Sequence, residues 1–189
     1  MLLETIRCEH GQALHLPYHQ QRLDATLQAL GIRAAFDLQA LMIPPEEGIF
    51  RCRFLYGAEG FTIEYHPYAP RTFRSLQIVH ADTLDYRHKY ADRSGLNALF
   101  EQRGACDDVL IVRGGMLCDT TIANIALLIG EQWLTPEEPL LMGTTRARLI
   151  DEGVLTPAPL RVGDICRARK VAVMNTMMGL VEVENGIIL

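Results

Sequence analysis

The sequence predicts a mixed α/β (α+β) chain of two domains, on three observations. Short β-branched and aromatic runs alternate with segments of helical apolar spacing. Apolar residues fill 49% of 189 positions, enough for a buried core, and that length accommodates one large domain or two small ones. A polar, irregular run from Ala81 to Asp92 interrupts the pattern, and a boundary near residues 81 to 85 divides the chain into 1–82 and 83–189.

The elements follow in order. Leu2 to His10 alternates, Gly11-Gln12 turns it, and Ala13 to Pro17 resumes an extended run, which predicts a hairpin. Leu23, Leu27 and Leu30 recur at helical spacing between Tyr18 and Leu30, and Gly31 supplies the stop. A short helix is expected over Phe36 to Met42, ended by Pro44-Pro45. Gly48 to Tyr56, Phe61 to Tyr68 and Leu76 to His80 read as strands, with Pro67 to Arg74 breaking the pattern between the last two. Beyond the boundary, Leu96, Leu99 and Phe100 mark a helix over Arg93 to Arg103, with Asp92 or Ser94 as N-cap and Gly104 as stop. Asp107 to Val112 and Met116 to Leu128 read as a hairpin turned at Gly114-Gly115, its second arm interrupted by Asp119-Thr120-Thr121 and by Asn124. A polar triplet within an apolar arm is costly unless it is paired. Trp133 to Pro136 is a further strand, Thr145 to Glu152 a helix ended by Gly153, Val162 to Ile165 a helix or turn, Arg169 to Met174 a strand, and Val181 to Leu189 a closing strand.

Composition excludes several classes of function. A formal charge of -5 with no lysine-rich run argues against a nucleic-acid or anionic-membrane surface, while small anionic ligands stay open. Five scattered cysteines without a Cys-x-x-Cys pair indicate neither a zinc site nor a disulfide framework, and read as buried thiols in a reducing cytoplasm. The six histidines lack metal-ligand spacing, so no metal is expected. No stretch has the length of a membrane span or signal sequence.

Chemistry points first to lysine. The chain holds sixteen arginines and two lysines, and arginine does not lose its proton to become an amine nucleophile. Lys170 opens an apolar strand and reads as a solvated charge; Lys89, in Tyr86-Arg87-His88-Lys89-Tyr90, lies on the approach to a helix. Gly143-Thr144-Thr145-Arg146 opens another helix, where free backbone N–H groups and hydroxyls suit a phosphate or simply cap the helix. Asp119 either satisfies a turn or pairs with a buried cation, and Arg22, three residues after His19, either borders a helix stripe or grips an anion.

Taken together, Lys89, Cys118-Asp119-Thr120-Thr121-Ile122-Ala123-Asn124, Leu134-Thr135-Pro136 and Gly143-Thr144-Thr145-Arg146 resemble the class IV pyridoxal-phosphate enzymes. These include branched-chain and D-amino acid aminotransferases and 4-amino-4-deoxychorismate lyases. The resemblance extends back through His19-Gln20-Gln21-Arg22-Leu23 to Leu3-Glu4-Thr5-Ile6-Arg7 and forward to Asn175-Thr176-Met177-Met178, nearly the whole chain in order.

The resemblance implies a two-domain D-amino acid aminotransferase-like fold with pyridoxal 5'-phosphate in the interdomain cleft, and a cytoplasmic homodimer. It implies that Lys89 forms the internal Schiff base and then moves the substrate's α-proton. Asp119 would pair with the pyridinium nitrogen, and Arg22, Thr144 and Thr145 would hold the phosphate. Three departures stand out. Asp119 replaces the family's usual glutamate; the family's longer N-terminal segment, with its Gly-Asp-Gly, has no counterpart here; and Ser94 stands where branched-chain aminotransferases have tyrosine. Asp92-Arg93 is closer to the Asn-Arg pair of lyase-like members. Three readings follow: an aminotransferase acting on a small amino acid and a 2-oxo acid, a lyase releasing pyruvate from aminodeoxychorismate, and a degenerate member without turnover.

Overall fold

A computed structural model describes residues 1–70 and 72–188. The chain forms two compact units, Met1–Pro70 with His88–Asp92, and Arg71–Arg87 with Arg93–Leu189.

The first unit is an antiparallel sheet covered by a helix. β1 (Leu2–Glu9) pairs with β2 (Gln12–Ala13) to make the expected hairpin, and α1 (Leu16–Ala29) begins with Pro17 in its first turn, where a missing N–H costs nothing. The helix expected over Phe36 to Met42 is a single turn, α2 (Leu38–Leu41), which Asp37 caps by accepting from the Gln39 and Ala40 N–H groups. β3 (Ile49–Gly57) and β4 (Gly60–Pro67) complete the order β2-β1-β3-β4. Alternation decides what is buried. Ile6 and Cys8 of β1 share a face with Cys52, Phe54 and Tyr56 of β3, and this face packs on Leu16, Leu23 and Leu27 of α1. Glu4 occupies the same face and is wholly buried. At the other edge of β1, the Leu3 N–H donates to the Lys89 carbonyl (2.9 Å) and the Ala91 N–H to the Met1 carbonyl (3.1 Å).

The second unit stacks two sheets. β5 (Leu76–His80), β6 (Asp108–Arg113), β7 (Met116–Leu117) and β13 (Ile187–Ile188) form one, in the order β13-β5-β6-β7. The other runs β10-β9-β8-β11-β12, from β8 (Asn124–Ile129), β9 (Gln132–Pro136), β10 (Leu155–Ala158), β11 (Lys170–Asn175) and β12 (Gly179–Glu182). Leu76, Leu110, Val112 and Leu117 meet Ile125, Leu127, Val171 and Val173 between them. α3 (Ser94–Phe100) continues into a 3-10 turn, and α4 (Thr144–Asp151) covers the outer face of the five-stranded sheet, where Leu149 meets Ala126 and Met174. Asn124, two residues before Ala126 and paired with Met174 across the strands, belongs to that face by alternation.

Several expectations are corrected, among them that all five cysteines are buried: Cys8, Cys52 and Cys118 are, but Cys106 is half-buried and Cys166 exposed. Met116 to Leu128 is not one arm: it turns at Asp119-Thr120-Thr121, leaving one sheet at β7 and entering the other at β8. The triplet's polar groups make that corner. Thr120 Oγ1 accepts from the Ile122 and Ala123 N–H groups, and Thr121 Oγ1 donates to Asp108 (2.9 Å). The N-cap of α3 is Arg93, not Asp92 or Ser94, and the residue capping α4 is Gly143. Leu155 to Ala158 forms a strand that its proline masks; β10 lies at a sheet edge, where Pro157 is tolerated. The expected closing strand divides into β12 and β13, Leu189 lying outside the described residues, as does Arg71 of the expected break. Among the described residues, no helix is long and apolar enough to cross a membrane.

Candidate active site

The predicted site residues fall into two groups, one in each unit. In the first unit, Lys89 and Arg22 gather with Glu4 and His19. Glu4 is fixed by β1 on the helix-facing side, and α1 places His19 and Arg22 one turn apart above it. Arg22 Nε donates to Glu4 Oε1 (2.9 Å) and Nη2 to Oε2 (2.5 Å), a two-point contact that fixes the guanidinium plane. His19 Nδ1 lies 2.7 Å from Glu4 Oε2, and since a carboxylate only accepts, that nitrogen carries the proton. Burial alone would push the Glu4 carboxyl up, but the Arg22 charge and the hydrogen bonds from His19 and Arg22 outweigh it and hold the group at about 2. Burial lowers His19, Glu4 opposes that, and the Arg22 and Lys89 charges add to the lowering. The Lys89 side chain is half-buried. Its backbone carbonyl takes the Leu3 N–H, so the lysine is held one residue along from Glu4 by main-chain bonding.

In the second unit, Asp119, Thr144 and Thr145 come together through residues whose roles the sequence did not declare. Asp119 Oδ1 accepts from Asn124 Nδ2 and Oδ2 from the Leu141 N–H, both at 2.8 Å. Asn124 Nδ2 also donates to the Leu141 carbonyl (2.9 Å). Two residues later Gly143 begins the α4 cap, and a Cβ there would overlap Asn124 Oδ1, so only glycine permits this approach. Thr144 and Thr145 are buried in the first turn of α4, whose N–H groups have no acceptor four residues back. Burial raises the Asp119 carboxyl to about 7; the bonds from Asn124 and Leu141 and the charge of buried Arg146 moderate the rise. Arg146 is anchored by Nη2 donating to the Pro136 carbonyl (2.8 Å).

Each group fits a part of pyridoxal phosphate. A helix N-terminus lined by two hydroxyls suits a phosphate dianion. A buried carboxylate that burial makes reluctant to stay charged suits a cationic ring nitrogen, which would relieve it. A half-buried lysine beside an anchored arginine supplies an amine.

Sequence reasoning missed Glu4, although a glutamate in register with Ile6 and Cys8 on an apolar strand face was the signal available. Asn124 carried only its spacing from Asp119, and the Leu141 N–H, being main chain, carried none.

Comparison with known proteins shows the family. The family model for amino-transferase class IV matches residues 1–185. An uncharacterised protein of Haemophilus influenzae is 36% identical over 185 residues, 95% of this chain and 98% of that one. Among solved structures, a protein of Haemophilus somnus provisionally named 4-amino-4-deoxychorismate lyase superposes with a TM-score of 0.90 at 33% identity, over 95% of this chain and 97% of that one. A Mesorhizobium loti protein provisionally named an amino-acid aminotransferase shares the fold, with a TM-score of 0.80 at 24% identity over 99% of both chains. With a family match spanning both groups of residues, the chain belongs to the class IV aminotransferase family, whose members are pyridoxal-phosphate-dependent aminotransferases and lyases.

Proposed function

We propose that the protein binds pyridoxal 5'-phosphate through Lys89, Arg22, Thr144, Thr145 and Asp119 and eliminates pyruvate from 4-amino-4-deoxychorismate or a close analogue. The cofactor reading is carried by one observation: Asp119 is buried, raised to about 7, and bonded into the same loop that opens the N-terminus of α4. The choice of elimination is supported by the Haemophilus somnus protein, similar over nearly the whole of both chains. Transfer of an amino group to a 2-oxo acid is the second reading, favoured by the family match itself.

When bound, pyridoxal phosphate supplies an aldehyde that captures amines and a ring that accepts the electron pair left when the carbon beside a captured amine loses its proton. Lys89 Nζ would hold the cofactor through its amine and, when free, would serve as the base beside the reacting carbon. Asp119 would pair with the ring nitrogen and favour its cationic form. The first-turn N–H groups of α4, the Thr145 hydroxyl and Arg22 would hold the phosphate, while Glu4 and His19 keep Arg22 in one orientation. The same reading carries a homodimer, which sedimentation of the purified protein tests.

Protein supplied with pyridoxal phosphate is expected to absorb in the visible range, Lys89→Ala to lose that band and Lys170→Ala to keep it. A band unchanged in Lys89→Ala overturns the reading. Pyruvate release from aminodeoxychorismate supports elimination; conversion of the cofactor to its amine form by amino acids, without an acceptor, supports transfer instead. Turnover of neither, with the band present, would make the chain a binding protein only.

A further inference from the structure

Asn124 makes three contacts that no turn requires of it. It lies directly across an antiparallel bridge from Asp119, so the two side chains are neighbours by register. Its amide hydrogens go to Asp119 Oδ1 and to the Leu141 carbonyl, while the Leu141 N–H reaches Asp119 Oδ2. These bonds close a ring through Asp119, Asn124 and Leu141. The remaining atom of the amide, Oδ1, rests against the Cα of Gly143, the cap of α4. One buried side chain therefore touches both the carboxylate and the backbone that opens the helix.

A carboxylate on a short side chain has two torsions with which to leave its position, and a cofactor has a fixed distance between ring nitrogen and phosphate. A residue bonded to the carboxylate and packed on the helix cap sets the span between the two. We propose that Asn124 is a positioning residue: it fixes Asp119 at a set distance from the N-terminus of α4 and keeps its carboxylate ionisable opposite the ring nitrogen. The second half of this statement rests on the pyridoxal-phosphate reading; the first does not.

Arg146 approaches from α4 and favours the ionised form, and the neighbouring Cys118 thiol is itself pushed up, by burial and by the Asp119 charge. Two of the hydrogen bonds that moderate the effect of burial come from the Asn124–Leu141 ring, so loss of the amide leaves the carboxylate buried with one donor fewer.

The test reads the carboxylate directly. In the full chain without added cofactor, carbon-13 carboxyl NMR follows the Asp119 titration, its resonance identified by its loss in Asp119→Asn. Asn124→Ala is expected to raise the Asp119 midpoint by about one pH unit or more, a tenfold change in proton affinity. Gly143→Ala, which pushes a methyl group into the amide without removing it, should move the midpoint the same way. A midpoint within about 0.3 unit of wild type in both variants overturns the proposal, given that a lost buried donor is worth more than that. So does failure of both to fold, which would make Asn124 a framework residue alone. Equilibrium dialysis with pyridoxal phosphate forms the second arm, in which both variants should retain it about tenfold less tightly than wild type, as expected for one charge-assisted bond. Wild type that binds no pyridoxal phosphate sinks the proposed function, yet the NMR arm still decides whether Asn124 positions Asp119.

Discussion

Glu4 and Asp119 are both buried carboxylates, and their surroundings move them in opposite directions. Glu4 is held at about 2 because Arg22 and His19 overcome burial, so its stabilising contribution is complete above the unfolded value of 4.5 and is lost as pH falls toward 2. Asp119 is raised to about 7 from 3.8, so the folded chain binds the extra proton and stability from this group declines as pH rises from about 4 to 7. Urea unfolding of cofactor-free protein should therefore show a slope of stability against pH between 4 and 7 that Asp119→Asn flattens. Glu4→Ala removes the buried anion that partners the partly buried Arg22 and is expected to cost about 3 kcal/mol in the same assay, the low end for breaking a buried pair. A loss below about 1 kcal/mol would mean that Arg22 finds water instead. Lys89, Arg22, Asp119, Thr144 and Thr145 stood out in the sequence as candidates because their chemistry is unusual or their spacing matches a family. Glu4 was passed over because a carboxylate in a strand is ordinarily assigned to the solvent face, although its alternation with Ile6 and Cys8 put it on the side that faces the helix.

At the scale of elements, the segment from β7 to β8 shows what periodicity conceals. Both strands are apolar and nearly continuous, so the run reads as one arm; the change of sheet is made by side-chain bonds that have no period. Thr120 Oγ1 accepts two main-chain N–H groups at this corner. Thr120→Ala leaves them without that acceptor and should cost about 1 to 3 kcal/mol in urea unfolding, whereas Thr120→Ser should cost little. An equal loss in both variants would assign the cost to the methyl group. Leu127→Ala, between the two sheets, should cost about 2 to 5 kcal/mol. The helices and the β3–β4 hairpin were legible because leucine spacing, prolines and glycines mark them. β10 was not, since a four-residue strand with a proline is recognisable only by its partner, β9.

At the scale of the whole molecule, the chain passes between its two units three times, and the segment His88–Asp92 is a five-residue return to the first. Composition marks that region only as polar and irregular; its place is set by main-chain bonds to Met1 and Leu3, which leave no trace in side-chain pattern. The Leu3 amide should exchange slowly in the full chain and rapidly in a chain ended at residue 70, as hydrogen exchange can measure; equal protection in both would mean that another acceptor takes the place of Lys89. The arrangement also orders events at the ribosome. The first seventy residues can form their sheet and helix as they emerge, but the start of β1 keeps a bare edge of the kind that recruits other chains until the lysine segment follows. The segment that carries Lys89 is thus the last piece the first unit receives, and a nascent chain is guarded against premature pairing only once that segment has arrived.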